Sequence, residues 1–164
     1  MEARGRCWKF GDNIPTDRIV PSDLVLRPFS EILEHVLETC NPEFPSKVRP
    51  GDILVAGKHF GQSSGRAVAA KALKRTGIGC IIADGFARTF YRNAFEIGMP
   101  ILECPGIADH VSNGDILRAD VESGKIVNET TGRELQAQPT PPFLLEMLKA
   151  GGLIAMAEQL AGEG

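Results

Sequence analysis

The sequence has no pair of cysteines at Cys-x-x-Cys spacing and no apolar run near the roughly 20 residues that span a bilayer. Its four cysteines, Cys7, Cys40, Cys80 and Cys104, are far apart. This spacing argues against a zinc or iron–sulfur site built by this chain alone, so we expect no metal here, only reduced and mostly buried thiols. The N-terminus also lacks the apolar core of a signal peptide, and we therefore expect a soluble cytoplasmic protein.

Neither sign of charge dominates the chain. The formal net charge is −3 over 164 residues, with 43% hydrophobic and 24% charged residues, both near globular averages. This balance disfavours nucleic acid and anionic membranes as partners. The length predicts a single domain that covers residues 1–164.

The middle of the chain alternates between apolar runs and helical patterns. Residues 53–56, 78–83 and 100–104 read as strands, and residues 67–74 and 86–97 as the helices between them, ended by Gly77 and Gly98. This order predicts an α/β core with parallel pairing and right-handed crossovers.

Other segments complete the prediction. Residues 6–10 alternate like a strand, and a helix over 31–38 is expected to have Ser30 as its N-cap. Residues 115–121, 125–128 and 134–136 are typical of short antiparallel strands. Two terminal helices are predicted over residues 143–150 and 153–160, separated by two glycines.

The most informative segment is the loop Gly-Lys-His-Phe-Gly-Gln-Ser-Ser-Gly-Arg at residues 57–66, between a predicted strand and a predicted helix. Such a loop aims backbone N–H groups and the positive end of the helix dipole at one point. Arg66 adds a bidentate cation, and a serine inside the loop is placed to do chemistry. The loop therefore predicts an anion-binding site.

Segments that together span nearly the whole chain resemble one family. They are residues 5–21 (GRCWKFGDNIPTDRIVP), 50–61 (PGDILVAGKHFG) with the serine–arginine loop, 86–100 (FARTFYRNAFEIGMP) and 144–153 (LLEMLKAGGL). The sequence resembles the small subunits of aconitase-type hydro-lyases, most closely those of the 3-isopropylmalate dehydratase type.

The resemblance implies a swivelling β/β/α domain with a layered, partly parallel sheet flanked by helices. It implies a large subunit as partner, on which a [4Fe–4S] cluster is expected. It also implies an activity, the isomerisation of a hydroxy-diacid by dehydration and rehydration in leucine biosynthesis. The small subunit would be inactive without the large one.

The resemblance also assigns residues. Aligned without a gap, Ser64 falls on the serine that abstracts a proton as its alkoxide, Arg66 on the family's arginine, and Asp17 on its site aspartate. A serine needs an anion-stabilising setting for this task. Ser64 and Asp17 are thus the expected catalytic residues. The expected substrate-binding residues are Arg66, Ser63, Gly65, Leu26, Arg27, Arg88 and Arg92.

The loop departs from the family pattern Gly-Cys-Gly-Ser-Ser-Arg-Glu-His. Gly65 replaces the second serine, and Ala67 and Val68 replace the Glu-His pair. Losing the carboxylate removes an orienting partner of Arg66. Either the loop is reshaped for another substrate, or activity is reduced.

The choice of substrate stays open between two readings. Leu26 would suit an apolar substituent such as isopropyl, whereas Arg27 could pair with a distal carboxylate, as homoaconitate would need. Dimethylmalate and citraconate are further candidates, because an apolar pocket discriminates methylenes only weakly. A different class also remains, an anion-binding or regulatory module that kept the fold and lost catalysis.

Overall fold

The fold is built on one mixed β-sheet. The computed structural model describes residues 1–63 and 67–163. Its strands are β1 (Glu2–Lys9), β2 (Ile53–Ala56), β3 (Cys80–Ala83), β4 (Ile101–Glu103), β5 (Ile116–Asp120), β6 (Lys125–Asn128) and β7 (Arg133–Gln136). They pair in the order β4-β3-β2-β1-β5-β6-β7, parallel from β4 to β1 and antiparallel from β1 to β7. The predicted α/β class is confirmed.

Helices follow the parallel strands and close the chain. They are α1 (Thr16–Ile19), α2 (Phe29–Ile32), α3 (Phe44–Lys47), α4 (Val68–Arg75), α5 (Arg88–Glu96), α6 (Pro142–Ala150) and α7 (Leu153–Glu163). Within the described ranges, no helix has the length and apolar character needed to cross a membrane. Gly77 and Gly98 have φ of +93° and +78° just after α4 and α5, as expected of residues that end helices.

The parallel half of the sheet is buried throughout. Every side chain of β2 and β3 is buried, which explains why both strands read as unbroken apolar runs. In the antiparallel half, the exposure of side chains alternates along β5 and β6. One face of that half therefore contacts the core, and the other faces solvent.

The helix predicted over residues 31–38 is wrong in extent. Only the single turn α2 forms, and Ser30 lies inside it rather than at its N-cap. Leu37 has a φ of +56°, its amide donates to the carbonyl of Ile19 at 3.1 Å, and its side chain is fully buried. The chain thus leaves the helical conformation because tertiary packing of Leu37 overrides the local preference.

A buried aromatic and carboxylate cluster fixes β1 to the start of β2. Trp8 packs edge-on against Phe44 with ring centroids 5.3 Å apart. Its indole N–H donates to Oδ2 of Asp52 at 2.9 Å, and the same oxygen accepts the backbone N–H of Arg49 at 2.9 Å. A buried carboxylate is tolerated here because both of these donors reach it.

The cysteines are free thiols, as predicted. Cys7, Cys80 and Cys104 are buried, and Cys40 is half-buried. Burial raises the pKa of Cys7 and of Cys80 to about 12, so neither thiolate forms near neutral pH.

We therefore predict that Cys40 is alkylated by iodoacetamide well before Cys7 or Cys80 at pH 8. The cause is access together with the high pKa of the two buried thiols. Peptide mass spectrometry of a labelling time course measures the order, and labelling in urea, where all four thiols react, is the control. Equal native rates for Cys40 and Cys7 would contradict the prediction.

A second prediction concerns Asp52. Asp52→Ala leaves the buried Trp8 N–H without an acceptor, and we expect the free energy of unfolding to fall by about 2–3 kcal/mol. Urea unfolding followed by circular dichroism measures it. Asp109→Ala, at an exposed carboxylate, is the matched control and should change stability by less than about 0.5 kcal/mol. Equal effects of the two substitutions would refute the role given to Asp52.

Candidate active site

The candidate site lies at the carboxyl ends of β1, β2 and β3. The loops that follow these strands are adjacent, since β2 pairs in parallel with both neighbours. In open α/β sheets, ligands bind at this edge, outside the carboxyl ends of parallel strands. Residues distant in the sequence are therefore brought together there.

The loops after β1 and β2 continue the pairing of their strands. The backbone hydrogen bonds between them run from Gly57 to Gly11 (3.1 Å), Asn13 to Lys58 (2.8 Å), Gly61 to Ile14 (2.8 Å) and Thr16 to Gln62 (2.8 Å), each donor named first. Pro15 and Gln62 also form a parallel bridge. This pairing positions α1 beside the loop that leads into α4.

A side chain reinforces the same junction. Oδ1 of Asp12 accepts the backbone N–H of Lys58 at 2.7 Å. A Cβ on Gly57 would overlap this carboxylate oxygen, so the close approach requires glycine at position 57. Asp12 thus has a structural role in the turn.

The other side of the loop rests on aromatic rings. The amide of Phe60 donates to Gly85 at 3.1 Å, and the amide of Ala87 donates to Phe60 at 2.9 Å, which joins the loop to the segment before α5. The ring of Phe60 packs edge-on against Phe90 at 5.1 Å between centroids. The loop is therefore supported on both sides up to Ser63, at the end of the first described range.

Strained backbone is concentrated in this region. His59 and Ser63 have φ of +58° and +89°, and Asn13 in the facing loop has +57°. Non-glycine residues rarely adopt this conformation, and such strain clusters at functional sites when surrounding structure enforces it. The hydrogen bonds described above supply that enforcement.

A cleft of about 420 Å³ opens between these loops and α4. Its lining residues in the described ranges are Thr16, Asp17, Val20, Ser22, Val25, Ser63 and Val68. The cleft therefore combines hydroxyl groups, the Asp17 carboxylate and three valines. It is large enough for a small diacid.

The structure brings two of the predicted site residues together. Asp17 and Ser63 both line the cleft, although they are far apart in the chain. Ser64, Gly65 and Arg66 lie outside the described residues. Their predicted roles stay predictions. The support for them is their position in the sequence, between Ser63 and the start of α4.

The other predicted contacts are not among the lining residues. The side chain of Leu26 is 96% exposed, and Nε of Arg27 lies 4.0 Å from Oε2 of Glu31. Arg88 and Arg92 are exposed on α5, one helical turn apart. Their contacts with substrate stay predictions, and in this conformation each would have to approach the substrate from outside the cleft.

Sequence reasoning missed the valines. Val25 precedes Leu26 by one position, and the 3₁₀ turn at Ser22–Leu24 brings Val25 into the cleft. Val20 ends α1, and Val68 begins α4. In the sequence, Val68 stands out only because it replaces the histidine of the family pattern. That it lines one cleft with Val20 and Val25 becomes clear only from the structure.

Comparison with known proteins finds relatives that match nearly the whole chain. Residues 33–105 match the family model of the aconitase C-terminal domain. The isopropylmalate/citramalate isomerase small subunit of Methanocaldococcus jannaschii is 47% identical over 98% of this chain and 96% of its own length. The 3-isopropylmalate dehydratase small subunit of Nautilia profundicola is 48% identical over 97% and 96%.

The fold is also that of a solved structure. The crystal structure of a 3-isopropylmalate dehydratase from Methanocaldococcus jannaschii superposes with a TM-score of 0.92 at 33% identity, covering all of both chains. The similarity in sequence and in fold thus extends from the first strand to the terminal helices.

The packing of the loop on α5 generates a prediction. Gly61 has a φ of +87°, and a Cβ there would overlap Cβ and Cγ of Phe90. Gly106 has a similar φ of +81° but open space around it. Gly106→Ala should therefore cost about 1 kcal/mol from conformation alone, and Gly61→Ala about 1–3 kcal/mol more.

Urea unfolding of both variants measures this difference. The comparison isolates the overlap, because the conformational cost is common to the two glycines. If the two variants lose equal stability, Phe90 does not support the loop in the manner described.

Proposed function

Since the chain belongs to the family of 3-isopropylmalate dehydratase small subunits, we propose that it completes the active site of a hydroxy-diacid dehydratase. The observation that carries the proposal is the cleft that both Asp17 and Ser63 line. Ser63 is followed directly in the sequence by Ser64, the expected base. The relatives of nearly equal length supply the reaction class through their names. The reaction is dehydration and rehydration of the diacid, which moves a hydroxyl group between adjacent carbons.

The cluster that this chemistry uses belongs to a partner large subunit. Iron–sulfur clusters need several thiolates close together. In this chain Cys7 and Cys80 are fully buried with a pKa of about 12, and no group of three His, Cys, Asp or Glu side chains in the described ranges could hold a metal ion. The cysteines of this chain therefore do not fit a cluster.

The contribution of this chain is a base in an anion-stabilising setting. Ser64 would remove a proton from the carbon beside a substrate carboxylate, and Arg66 would bind a carboxylate. Helix α4 begins at Val68, two residues after Arg66, and its N-terminal N–H groups favour negative charge there. The same groups would stabilise the serine alkoxide.

Asp17 supplies the carboxylate of the cleft. It is the only charged side chain among the described lining residues, and it is placed by α1, which the Thr16–Gln62 backbone bond joins to the loop. A carboxylate group can accept hydrogen bonds, so Asp17 would orient a hydroxyl group or receive a proton from the substrate.

Among the candidate substrates, 3-isopropylmalate of leucine biosynthesis is favoured over homoaconitate. A distal carboxylate would require its own cation in the pocket. Arg27, the residue predicted for this role, is not among the described lining residues, and its Nε lies 4.0 Å from Oε2 of Glu31. The three valines suit an alkyl substituent. The first of the relatives named above is an isomerase of isopropylmalate and citramalate, so a methyl substituent is a second candidate for the same cleft.

The test is co-expression with a cluster-bearing large subunit, anaerobic reconstitution and assay against isopropylmalate, citramalate, dimethylmalate, citraconate, homoaconitate and citrate. The complex should turn over alkyl-substituted diacids, and the small chain alone should be colourless and inactive. A chain that binds no large subunit, or a complex without turnover, would favour the non-catalytic module.

Ser64→Ala in that complex should lower kcat by roughly 10²–10⁴-fold, because it removes the general base. Ser46→Ala, at an exposed hydroxyl on α3, is the control and should leave kcat unchanged. Undiminished turnover of the Ser64 variant would show that another group is the base.

A further inference from the structure

Three valines from three different elements line the cleft beside Asp17. Val20 ends α1, Val25 follows the 3₁₀ turn, and Val68 is the first residue of α4. Resting on the proposed function, we propose that Val68 is a specificity-determining residue. With Val20 and Val25 it forms a wall that receives the alkyl substituent of the diacid and limits its size.

The depth of the three side chains differs in a way that suits this role. Val20 is 1% exposed and belongs to the hydrophobic core, whereas Val25 and Val68 are half-buried. Val20 therefore forms the floor of the apolar part of the cleft, and Val25 and Val68 form its sides. An alkyl group seated there would remove the exposed methyl groups of both side valines from water.

Backbone structure positions two of the three valines. A valine in a helix has one strongly preferred χ1 rotamer, so the position of the Val68 methyl groups follows from the backbone of α4. The amide of Val20 donates to Thr16 at 2.9 Å, and the amide of Thr16 donates to Gln62 at 2.8 Å. These bonds fix the floor relative to Gln62, in the loop that leads towards α4.

The charge of the cleft selects against a third carboxylate. The lining residues within 1–63 and 67–163 include no lysine, arginine or histidine, and their one charge is the negative carboxylate of Asp17. A distal carboxylate seated on the valines would lose water, and the one cation expected at the site, Arg66, is already assigned to a carboxylate that all of these diacids share. The class of substrate is therefore a hydroxy-diacid with a small alkyl substituent.

Val68 is the member of the wall that can be changed with the least damage to the fold. Val20 is packed in the core, so its truncation would leave a cavity. Val68 is half-buried at the first turn of α4, and it lies two residues from Arg66 in the sequence. Val68 also packs against the edge of the core, so its truncation will cost some stability, and the readout must be one that a loss of stability does not change.

The experiment uses the reconstituted two-subunit complex with three variants. Val68→Ala enlarges the cleft, and Val68→Thr keeps the shape but replaces one methyl group by a hydroxyl group. Val127→Ala, at a half-buried valine of β6 in the antiparallel half, is the matched control. The substrates are malates that carry a methyl, an ethyl or an isopropyl group or a bulkier branched chain, together with homoaconitate.

The measured quantity is the ratio of kcat/KM values between substrates, which a general loss of stability does not move. For Val68→Ala, the ratio of the bulkiest to the isopropyl substrate should rise roughly tenfold or more, the effect of about one methylene in an apolar pocket. Val68→Thr should weaken all alkyl substrates while keeping their order of size. Val127→Ala should keep the wild-type ratios.

The outcomes separate this inference from the proposed function. If the wild-type complex turns over none of these diacids, the proposed function fails. If it turns over alkyl malates but Val68→Ala scales every substrate equally, the inference is overturned and the function stands. A wild-type preference for homoaconitate would also overturn the alkyl wall.

Discussion

The backbone pairing that continues past the ends of β1 and β2 is the constraint on which the site depends. Parallel strands normally separate where their loops begin, but in this protein the loops remain hydrogen-bonded as far as Thr16 and Gln62. This extension needs glycine at position 57, because the carboxylate of Asp12 occupies the space of a side chain. Ser63, the next residue after Gln62, has a left-handed backbone conformation. The geometry of the cleft is thus a consequence of register in the sheet, which the buried apolar residues of β2 and β3 determine.

The sequence predicts the regular elements well because their signals are local. Apolar runs marked β2 and β3, and glycines marked the ends of α4 and α5. The helix predicted over residues 31–38 is wrong because no local signal marks its early end. The conformation of Leu37 depends on a hydrogen bond to Ile19 and on its burial. Contacts of this kind join two distant segments, and the sequence pattern of either segment alone does not reveal them.

The same distinction applies to the site. The meeting of Asp17 with Ser63 was predictable from a motif, whereas the valines of the cleft were not. The sequence predicted Leu26 as the apolar contact, whereas Leu26 is exposed and Val25, one position earlier, lines the cleft. This difference depends on the single 3₁₀ turn at Ser22–Leu24, and the boundaries of short turns are poorly encoded in local sequence. The positions of the side chains of Arg88 and Arg92 relative to substrate depend further on the partner chain, which also supplies the cluster in the proposed enzyme.

The departures in the loop become coherent when the cleft is considered as a whole. A Glu-His pair at positions 67 and 68 would place two ionisable groups at the start of α4, next to the expected base. In this chain Ala67 and Val68 stand there, and the described cleft retains one charge, on Asp17. Without these ionisable groups the start of α4 is less polar, and on the proposed function an alkyl group would be a better occupant beside Val68 than a charged one. On the proposed function, the change in the loop and the valines at Val20 and Val25 would favour the same ligand, and we therefore interpret the altered loop as a choice of substrate rather than a loss of catalysis.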